Sequence, residues 1–146
     1  MIERLVVVAA VVVVAAVVGW LIQRRDGKVV DVEQRVDHDG LIELHLPHDG
    51  ADLRVPNRAV LVGSPTCGPC DAVKRVLAEV EAQRGDFTWR YVDAADHLDL
   101  MAKLKVRRVP TLLVLNGDGR IVARSTGVPS PASLHAVFDQ GAELVA

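Results

Sequence analysis

The sequence predicts an α/β domain of three layers, a central mixed sheet with flanking helices, preceded by one N-terminal transmembrane helix. An uncharged apolar run over residues 5–22 predicts that first helix. Between residues 59 and 115, short apolar segments alternate with amphipathic helical ones, which favours a parallel βαβ unit. The turn sequence Asn116-Gly117-Asp118-Gly119 then indicates an antiparallel hairpin.

Length and composition limit the classes of function. With 146 residues the chain can form one globular domain with an appendage, which excludes a large multidomain enzyme. A net charge of −2 and an aromatic content of 3% leave neither a basic stripe nor a stacking platform, so no nucleic-acid partner is expected. Two cysteines suffice for one redox pair or half of a metal site.

Residues 1–22 are interpreted as a transmembrane anchor. The run from Leu5 to Ile22 would form a helix of about 27 Å, close to the thickness of the bilayer's hydrocarbon core. Trp20 is expected at the interface. A cleaved signal peptide is the main alternative, but Arg4 is offset by Glu3 and the run ends in Trp-Leu-Ile-Gln-Arg-Arg without a small-residue cleavage site. A buried core helix is a third alternative.

The charges around this run predict its orientation. Arg4 lies on the N-terminal side, whereas Arg24, Arg25 and Lys28 follow the run. Because cations are retained on the cytoplasmic side, we expect a single-pass membrane protein with its domain in the cytoplasm.

The remaining chain divides into a linker and a domain. Residues 23–37 are polar and charged, which predicts a juxtamembrane linker, and the domain is expected over 38–146 with a motif-bearing core at 59–141. Apolar residues between 41 and 46 partly alternate with polar ones, which predicts a short strand.

The core begins with a buried strand at residues 59–62 and a helix after it. The helix has one apolar stripe, formed by Ala72, Val73, Val76, Leu77 and Val80. The alternating aromatic residues Phe87, Trp89 and Tyr91 predict a second strand.

The second half of the core is a helix, a hairpin and a last helix. Leu98, Met101 and Leu104 predict the first of these helices, ending near Lys105. The hairpin strands are expected at 111–115 and 120–126. Ser130 is the expected N-cap of the last helix, with Pro131 as its first residue.

The sequence Cys67-Gly68-Pro69-Cys70 lies where the first strand passes into its helix. Two intervening residues on a first helical turn bring the sulfurs close enough for a reversible disulfide. The helix N-terminus stabilises a thiolate at Cys67, which makes it the expected nucleophile. Cys70, one turn further, is expected to be more buried and to resolve the mixed disulfide.

Two other interpretations of the cysteines remain open. They could form half of a zinc or iron–sulfur site, which needs further ligands. The five histidines, His38, His45, His48, His97 and His135, contain no pair at zinc-finger spacing, so no metal is expected. They could also be inert core thiols, which the intervening Gly-Pro at a strand–helix junction disfavours.

The motif at 67–70 resembles the redox tetrapeptide of the thioredoxin family. The segment Val106-Arg107-Arg108-Val109-Pro110-Thr111 is similar to the family's cis-proline loop, and the resemblance covers about residues 59–141. It implies a thioredoxin-like fold and thiol–disulfide exchange without a cofactor. It also implies a cis bond between Val109 and Pro110, next to the cysteines.

The resemblance also implies site residues and partners. Cys67 and Cys70 would be the catalytic pair. The substrate would be contacted by residues beside them, namely Thr66, Gly68, Pro69, Val109 and Pro110. Disulfide-bearing proteins or small molecules would be the substrates, and a thioredoxin-reductase-like protein would donate electrons. Arg107 and Arg108 either favour an anionic partner or form a solvated turn.

Two positions depart from the family pattern. Thr66 stands where the family usually has Trp. The family's buried acid, which helps to deprotonate the second cysteine, corresponds to Leu61 by counting back from Cys67, or to Gly63 by aligning the apolar run. Neither is an acid, so the resolving step would use water or another group such as Asp93.

Three functions follow. The first is a membrane-tethered oxidoreductase that reduces disulfides in the cytoplasm. The second places the same chemistry in the cell envelope, in disulfide reduction or cytochrome maturation. The third is a non-catalytic scaffold with this fold, for which replacing Cys67 would change nothing.

Overall fold

The structure, a computed structural model, describes residues 2–23, 29–35 and 55–143. The strands are β1 (Val29–Arg35), β2 (Asn57–Gly63), β3 (Phe87–Asp93), β4 (Thr111–Leu115) and β5 (Arg120–Thr126). The helices are α1 (Ile2–Gln23), α2 (Gly68–Gln83), α3 (Leu98–Lys103) and α4 (Pro131–Glu143), and a 3-10 segment (Ala94–His97) precedes α3.

The strands form one mixed sheet in the order β1-β5-β4-β2-β3. β2 runs parallel to β3 and antiparallel to β4, while β5 is antiparallel to both β4 and β1. Because β2 is paired on both sides, every residue after Asn57 in it is buried, as its continuous apolar run predicts. The predicted order of elements over the core is confirmed.

Helices cover both faces of the sheet, so the predicted three-layer arrangement is confirmed. Strand residues alternate between the faces. Ala59 and Leu61 pack with apolar side chains of α2 and α4, including Leu77 and Phe138. Val60 and Val62 face the opposite side and pack with Leu100, Met101 and Leu104 from α3 and its C-terminal end.

The predicted linker over 23–37 is wrong for residues 29–35, which form β1. Val29 lies opposite Ser125 and Arg35 opposite Arg120 of β5. The folded domain therefore includes β1, which lies before the predicted boundary at residue 38. β1 combines three valines with Asp31, Glu33, Gln34 and Arg35. Charged residues are common in edge strands, which is why the segment resembles a linker in the sequence.

The helix predicted from Leu98, Met101 and Leu104 is confirmed as α3, which starts at Leu98 directly after the 3-10 segment. Met101 and Leu104 are buried together with Leu100, whereas Leu98 is 70% exposed. The strand predicted between residues 41 and 46 lies outside the described residues.

The N-terminal run forms α1. Its residues 7, 8 and 10–21, for which the structure describes burial, are all exposed. Within the described part of the chain, no helix is both long and apolar enough to cross a membrane. The transmembrane anchor over 1–22 stays a prediction.

The hairpin between β4 and β5 is fixed by Asn116 and Arg58. The Asn116 Oδ1 accepts from the backbone N–H groups of Asp118 (3.1 Å) and Arg120 (3.0 Å), and Gly119 adopts a φ of 73°. Arg58 is 1% exposed, and its guanidinium donates to the backbone carbonyls of Asn116 and Gly117 at 3.1 and 2.7 Å. The predicted turn is thus tied to the buried start of β2.

An ion cluster joins α2, β3 and α4. Arg84, just after α2, binds both carboxylate oxygens of Asp86 at 2.8 Å and Asp139 of α4 at 2.7 Å. Asn57 donates to Asp86 at 2.9 Å. The bidentate hydrogen bond from Arg84 is the main reason that the pKa of Asp86 is lowered from its usual 3.8.

We expect Asp86→Asn to lower the free energy of unfolding at neutral pH by about 0.5 to 1 kcal/mol, a modest loss because the Asp86 side chain is 40% exposed. Folding lowers the pKa of this carboxyl from 3.8. Its full contribution to the free energy of unfolding is therefore present above pH 3.8 and is lost as the pH falls through the folded-state pKa. Denaturant unfolding of both proteins between neutral pH and about pH 2 measures the effect.

Asp71→Asn is the matched control. Asp71 pairs with Lys74 at 3.3 Å, and its side chain is 78% exposed, so we expect a loss below about 0.3 kcal/mol. A loss for Asp86→Asn that is equal at both ends of the pH range would contradict the role given to its charge.

Candidate active site

The two cysteines lie where β2 passes into α2. Cys67 caps α2 with an extended backbone (φ −83°, ψ 94°), and its N–H donates to the Ser64 carbonyl at 3.1 Å. Pro69 sits in the first turn, where a missing N–H costs no helical hydrogen bond. The predicted position of the motif at the start of the helix is confirmed.

Cys67 and Cys70 form a disulfide, with their Cα atoms 5.4 Å apart. The Cys70 N–H donates to the Cys67 carbonyl at 3.1 Å, which closes the turn that holds both residues. The expectation that this spacing brings the sulfurs together is confirmed.

The two sulfurs differ in their access to solvent. Cys67 is half-buried at the helix N-terminus, whereas Cys70 is 2% exposed and belongs to the buried face of α2. The free N–H groups at a helix N-terminus favour an anion, so a thiolate on Cys67 is both stabilised and accessible. An incoming disulfide can therefore reach Cys67 and not Cys70.

The proline loop lies beside the cysteine loop. The Val109–Pro110 bond is cis, as the resemblance implies. Thr111 lies opposite Val62 in the β2–β4 ladder, so the preceding Pro110 is next to Gly63, the last residue of β2. Pro110 is buried and Val109 half-buried. The Gly127 N–H donates to the Pro110 carbonyl at 3.2 Å and holds the loop in place.

The predicted contact residues around Cys67 form an exposed rim. Thr66, Gly68 and Pro69 are exposed, and the Thr66 hydroxyl lies 3.5 Å from that of Ser64.

Arg107 and Arg108 are exposed on the proline loop, and Arg108 donates to the Thr126 hydroxyl at 3.3 Å.

Gly63 is the strand position that faces Cys70. A Cβ atom placed on Gly63 would lie 3.0 Å from the Cys70 Sγ, 2.6 Å from the Cε2 and 3.2 Å from the hydroxyl of Tyr91. Leu61, the other residue considered for the missing acid, is fully buried in the core with α2 and α4. No acid side chain fits at residue 63 unless the Tyr91 ring moves.

Tyr91, which the alternating aromatic pattern predicts only as a strand residue, is also part of the site. Its ring fills the space above Gly63, and the Lys74 ammonium lies 4.6 Å from the ring centroid. Burial is the largest cause of a raised pKa for its hydroxyl, so the phenol is neutral at neutral pH. The sequence signal for this role is a glycine before the cysteine loop together with an aromatic residue near the end of the next strand, since the ring can fill the space that the glycine leaves.

Asp93, suggested as a substitute proton acceptor, has another contact. It ends β3 opposite Gly63, and its carboxylate accepts from the Ala95 N–H at 2.9 Å. This bond caps the 3-10 segment before α3. Among residues 2–23, 29–35 and 55–143, no three His, Cys, Asp or Glu side chains are grouped so as to hold a metal ion.

The chain is similar to known thioredoxins over this domain. Residues 55–142 match the family model of a thioredoxin-like domain. Thioredoxin from Bacillus subtilis (strain 168) is 32% identical over 78 residues, which are 53% of this chain and 74% of that protein. A bifunctional thioredoxin reductase/thioredoxin from Mycobacterium leprae (strain TN) is 32% identical over 87 residues, 58% of this chain and 19% of that protein.

A solved structure agrees with these relatives. The solution structure of reduced desulfothioredoxin from Desulfovibrio vulgaris Hildenborough superposes with a TM-score of 0.53 at 25% identity, covering 64% of this chain and 90% of that one. The family match extends over more than half of the chain and includes the cysteine pair and the cis-proline loop. The chain belongs to the thioredoxin-like family and is a thiol–disulfide oxidoreductase.

Proposed function

We propose that this protein is a membrane-tethered reductant that transfers two electrons from its Cys67/Cys70 dithiol to disulfides of partner proteins. The observation that carries this proposal is the unequal exposure of the two sulfurs at the start of α2, with Cys67 half-buried and Cys70 2% exposed. This arrangement separates an attacking sulfur from a resolving one.

The first step is attack by the Cys67 thiolate on one sulfur of the substrate disulfide. A Cys67–substrate disulfide forms, the substrate's own disulfide breaks, and the second substrate sulfur leaves as a thiolate. The electron-poor start of α2 favours the attacking thiolate.

The second step is attack by Cys70. Its thiol loses a proton, and the resulting thiolate attacks the Cys67 sulfur, which forms the Cys67–Cys70 disulfide and releases the substrate's remaining sulfur as a thiolate. The substrate has then gained two electrons and the protein has lost two. The 5.4 Å between the Cα atoms of the pair suits this intramolecular bond.

Substrate contacts are assigned to the two loops that meet at the end of β2. Thr66, Gly68 and Pro69 surround Cys67 with exposed surface, and Val109 with Pro110 supplies the adjacent loop. The β2–β4 register supports this assignment, since it brings Pro110 next to Gly63.

The oxidised pair needs a source of electrons to act again. We propose a protein of the thioredoxin-reductase type as donor. Support comes from the Mycobacterium leprae relative, whose name joins a thioredoxin reductase and a thioredoxin in one protein.

The tether proposed here is the N-terminal segment. Its support is the uncharged run over residues 5–22, about 27 Å long as a helix, followed by Arg24, Arg25 and Lys28. These cations favour a cytoplasmic domain. A tether would confine the search for partners to the membrane surface and raise their effective concentration there.

Replacing each cysteine tests the two-step reaction. We expect Cys67→Ser to abolish reduction of insulin by the protein in the presence of dithiothreitol, and Cys70→Ser to accumulate a mixed disulfide that mass spectrometry detects on Cys67. Unchanged insulin reduction by Cys67→Ser would contradict the proposal and leave the scaffold function.

Fractionation tests the tether. We expect the full chain to remain in the membrane pellet after alkaline carbonate extraction, and a chain that begins at Val29 to be released, because the deleted part contains the apolar run. A C-terminal reporter that is active only in the cytoplasm then gives the orientation. Release of the full chain would contradict the tether, and an inactive reporter would place the domain in the cell envelope.

A further inference from the structure

The resolving cysteine lies in a setting that the two-step reaction does not by itself explain. Cys70 must lose a proton to attack, yet it is 2% exposed, and burial disfavours a charged thiolate. The strand position beneath it is a glycine, which supplies no side chain to accept that proton.

Tyr91 occupies the space that this glycine leaves. Its hydroxyl and the Cys70 Sγ both lie within 3.2 Å of one point, the ideal Cβ position of Gly63. Tyr91 reaches this point from β3, on which it pairs with Leu61 of β2 in the parallel ladder. Because both atoms are so close to that point, the hydroxyl and the sulfur are at most about 6 Å apart. Tyr91 is 36% exposed, which leaves a path to solvent.

We propose that Tyr91 is a positioning residue for the resolving step, whose hydroxyl donates a hydrogen bond to the Cys70 sulfur as that sulfur becomes a thiolate. This inference rests on the proposed dithiol reaction. In this reaction the proton of Cys70 goes to solvent, and Tyr91 keeps its own proton throughout.

Burial is the main reason that the pKa of the Tyr91 hydroxyl is raised and that the phenol stays a neutral donor. Three carboxylates raise this pKa further, namely Asp93 at the end of β3, Asp71 of α2 and Asp96 of the 3-10 segment. Lys74 of α2, 4.6 Å from the ring centroid, acts in the opposite direction. Because the phenol stays protonated, it stabilises a nearby thiolate without adding a further negative charge.

The test follows the two steps separately in the full chain, solubilised in detergent. The reduced protein is mixed with 5,5′-dithiobis(2-nitrobenzoate) in a stopped-flow instrument. Attack by Cys67 releases one thionitrobenzoate in the first phase, and attack by Cys70 on the mixed disulfide releases the other in the second. Both rates are measured against pH.

Two variants are compared with the unchanged protein. Tyr91→Phe removes the hydroxyl and keeps the ring over Gly63. Thr88→Val is the matched control, because it also removes a hydroxyl from β3. The Thr88 hydroxyl donates to the Glu81 carboxylate at 3.0 Å and not to a cysteine.

We expect Tyr91→Phe to slow the second phase about tenfold at neutral pH, since a hydrogen bond to a charged group is lost. The pH midpoint of that phase should rise by about one unit. The difference in second-phase rate between the variant and the unchanged protein should become smaller at alkaline pH, where the Cys70 thiol is ionised in both. The first phase should be unchanged, which also shows that the variant folds. Thr88→Val should change neither phase.

A second phase with unchanged rate and pH profile in Tyr91→Phe would overturn the inference. Equal slowing of both phases would also overturn it, since Tyr91 would then act through packing alone. Absence of the second release in the unchanged protein would instead overturn the proposed dithiol reaction itself.

Discussion

Close contact between the start of α2 and the end of β2 is the constraint on which the site depends. Gly63 has no side chain, so the Cys70 sulfur and the Tyr91 ring both approach its backbone, and a Cβ there would lie 2.6 Å from the ring. This contact holds Cys70 inside the domain while the helix N-terminus, with Cys67, stays at the surface. Any side chain at residue 63 would displace one of the two groups that determine the resolving step.

The sheet brings the second loop of the site to the same place. β2 is paired on both sides, and its antiparallel partner β4 begins at Thr111, opposite Val62. The cis Val109–Pro110 bond therefore lies beside the end of β2, where the cysteine loop starts. Arg58 and the hairpin at 116–119 fix the other end of the β2–β4 pair, so the position of the loop follows from contacts across the whole strand.

The core of the fold and the cysteine pair were predictable because their signals are local. A continuous apolar run predicts the buried strand β2, an apolar stripe predicts the helix α2, and the turn sequence at 116–119 predicts the hairpin. The spacing at 67–70 predicts the disulfide. β1 was missed because a short edge strand of mixed polarity resembles a linker until its partner β5 is known. Tyr91 was missed because its role depends on contact with residue 63 across the sheet, which no spacing along the chain shows.

The reduction potential of the Cys67/Cys70 pair tests the central claim most directly, namely that this dithiol is a reductant. The full chain is equilibrated with glutathione or dithiothreitol buffers of known potential, and the oxidised fraction is measured by thiol alkylation and mass spectrometry. We expect a value of about −270 mV, that of thioredoxin. A value above about −200 mV would contradict the claim, because the pair would then act as an oxidant or isomerase, and so would failure of the pair to form a disulfide.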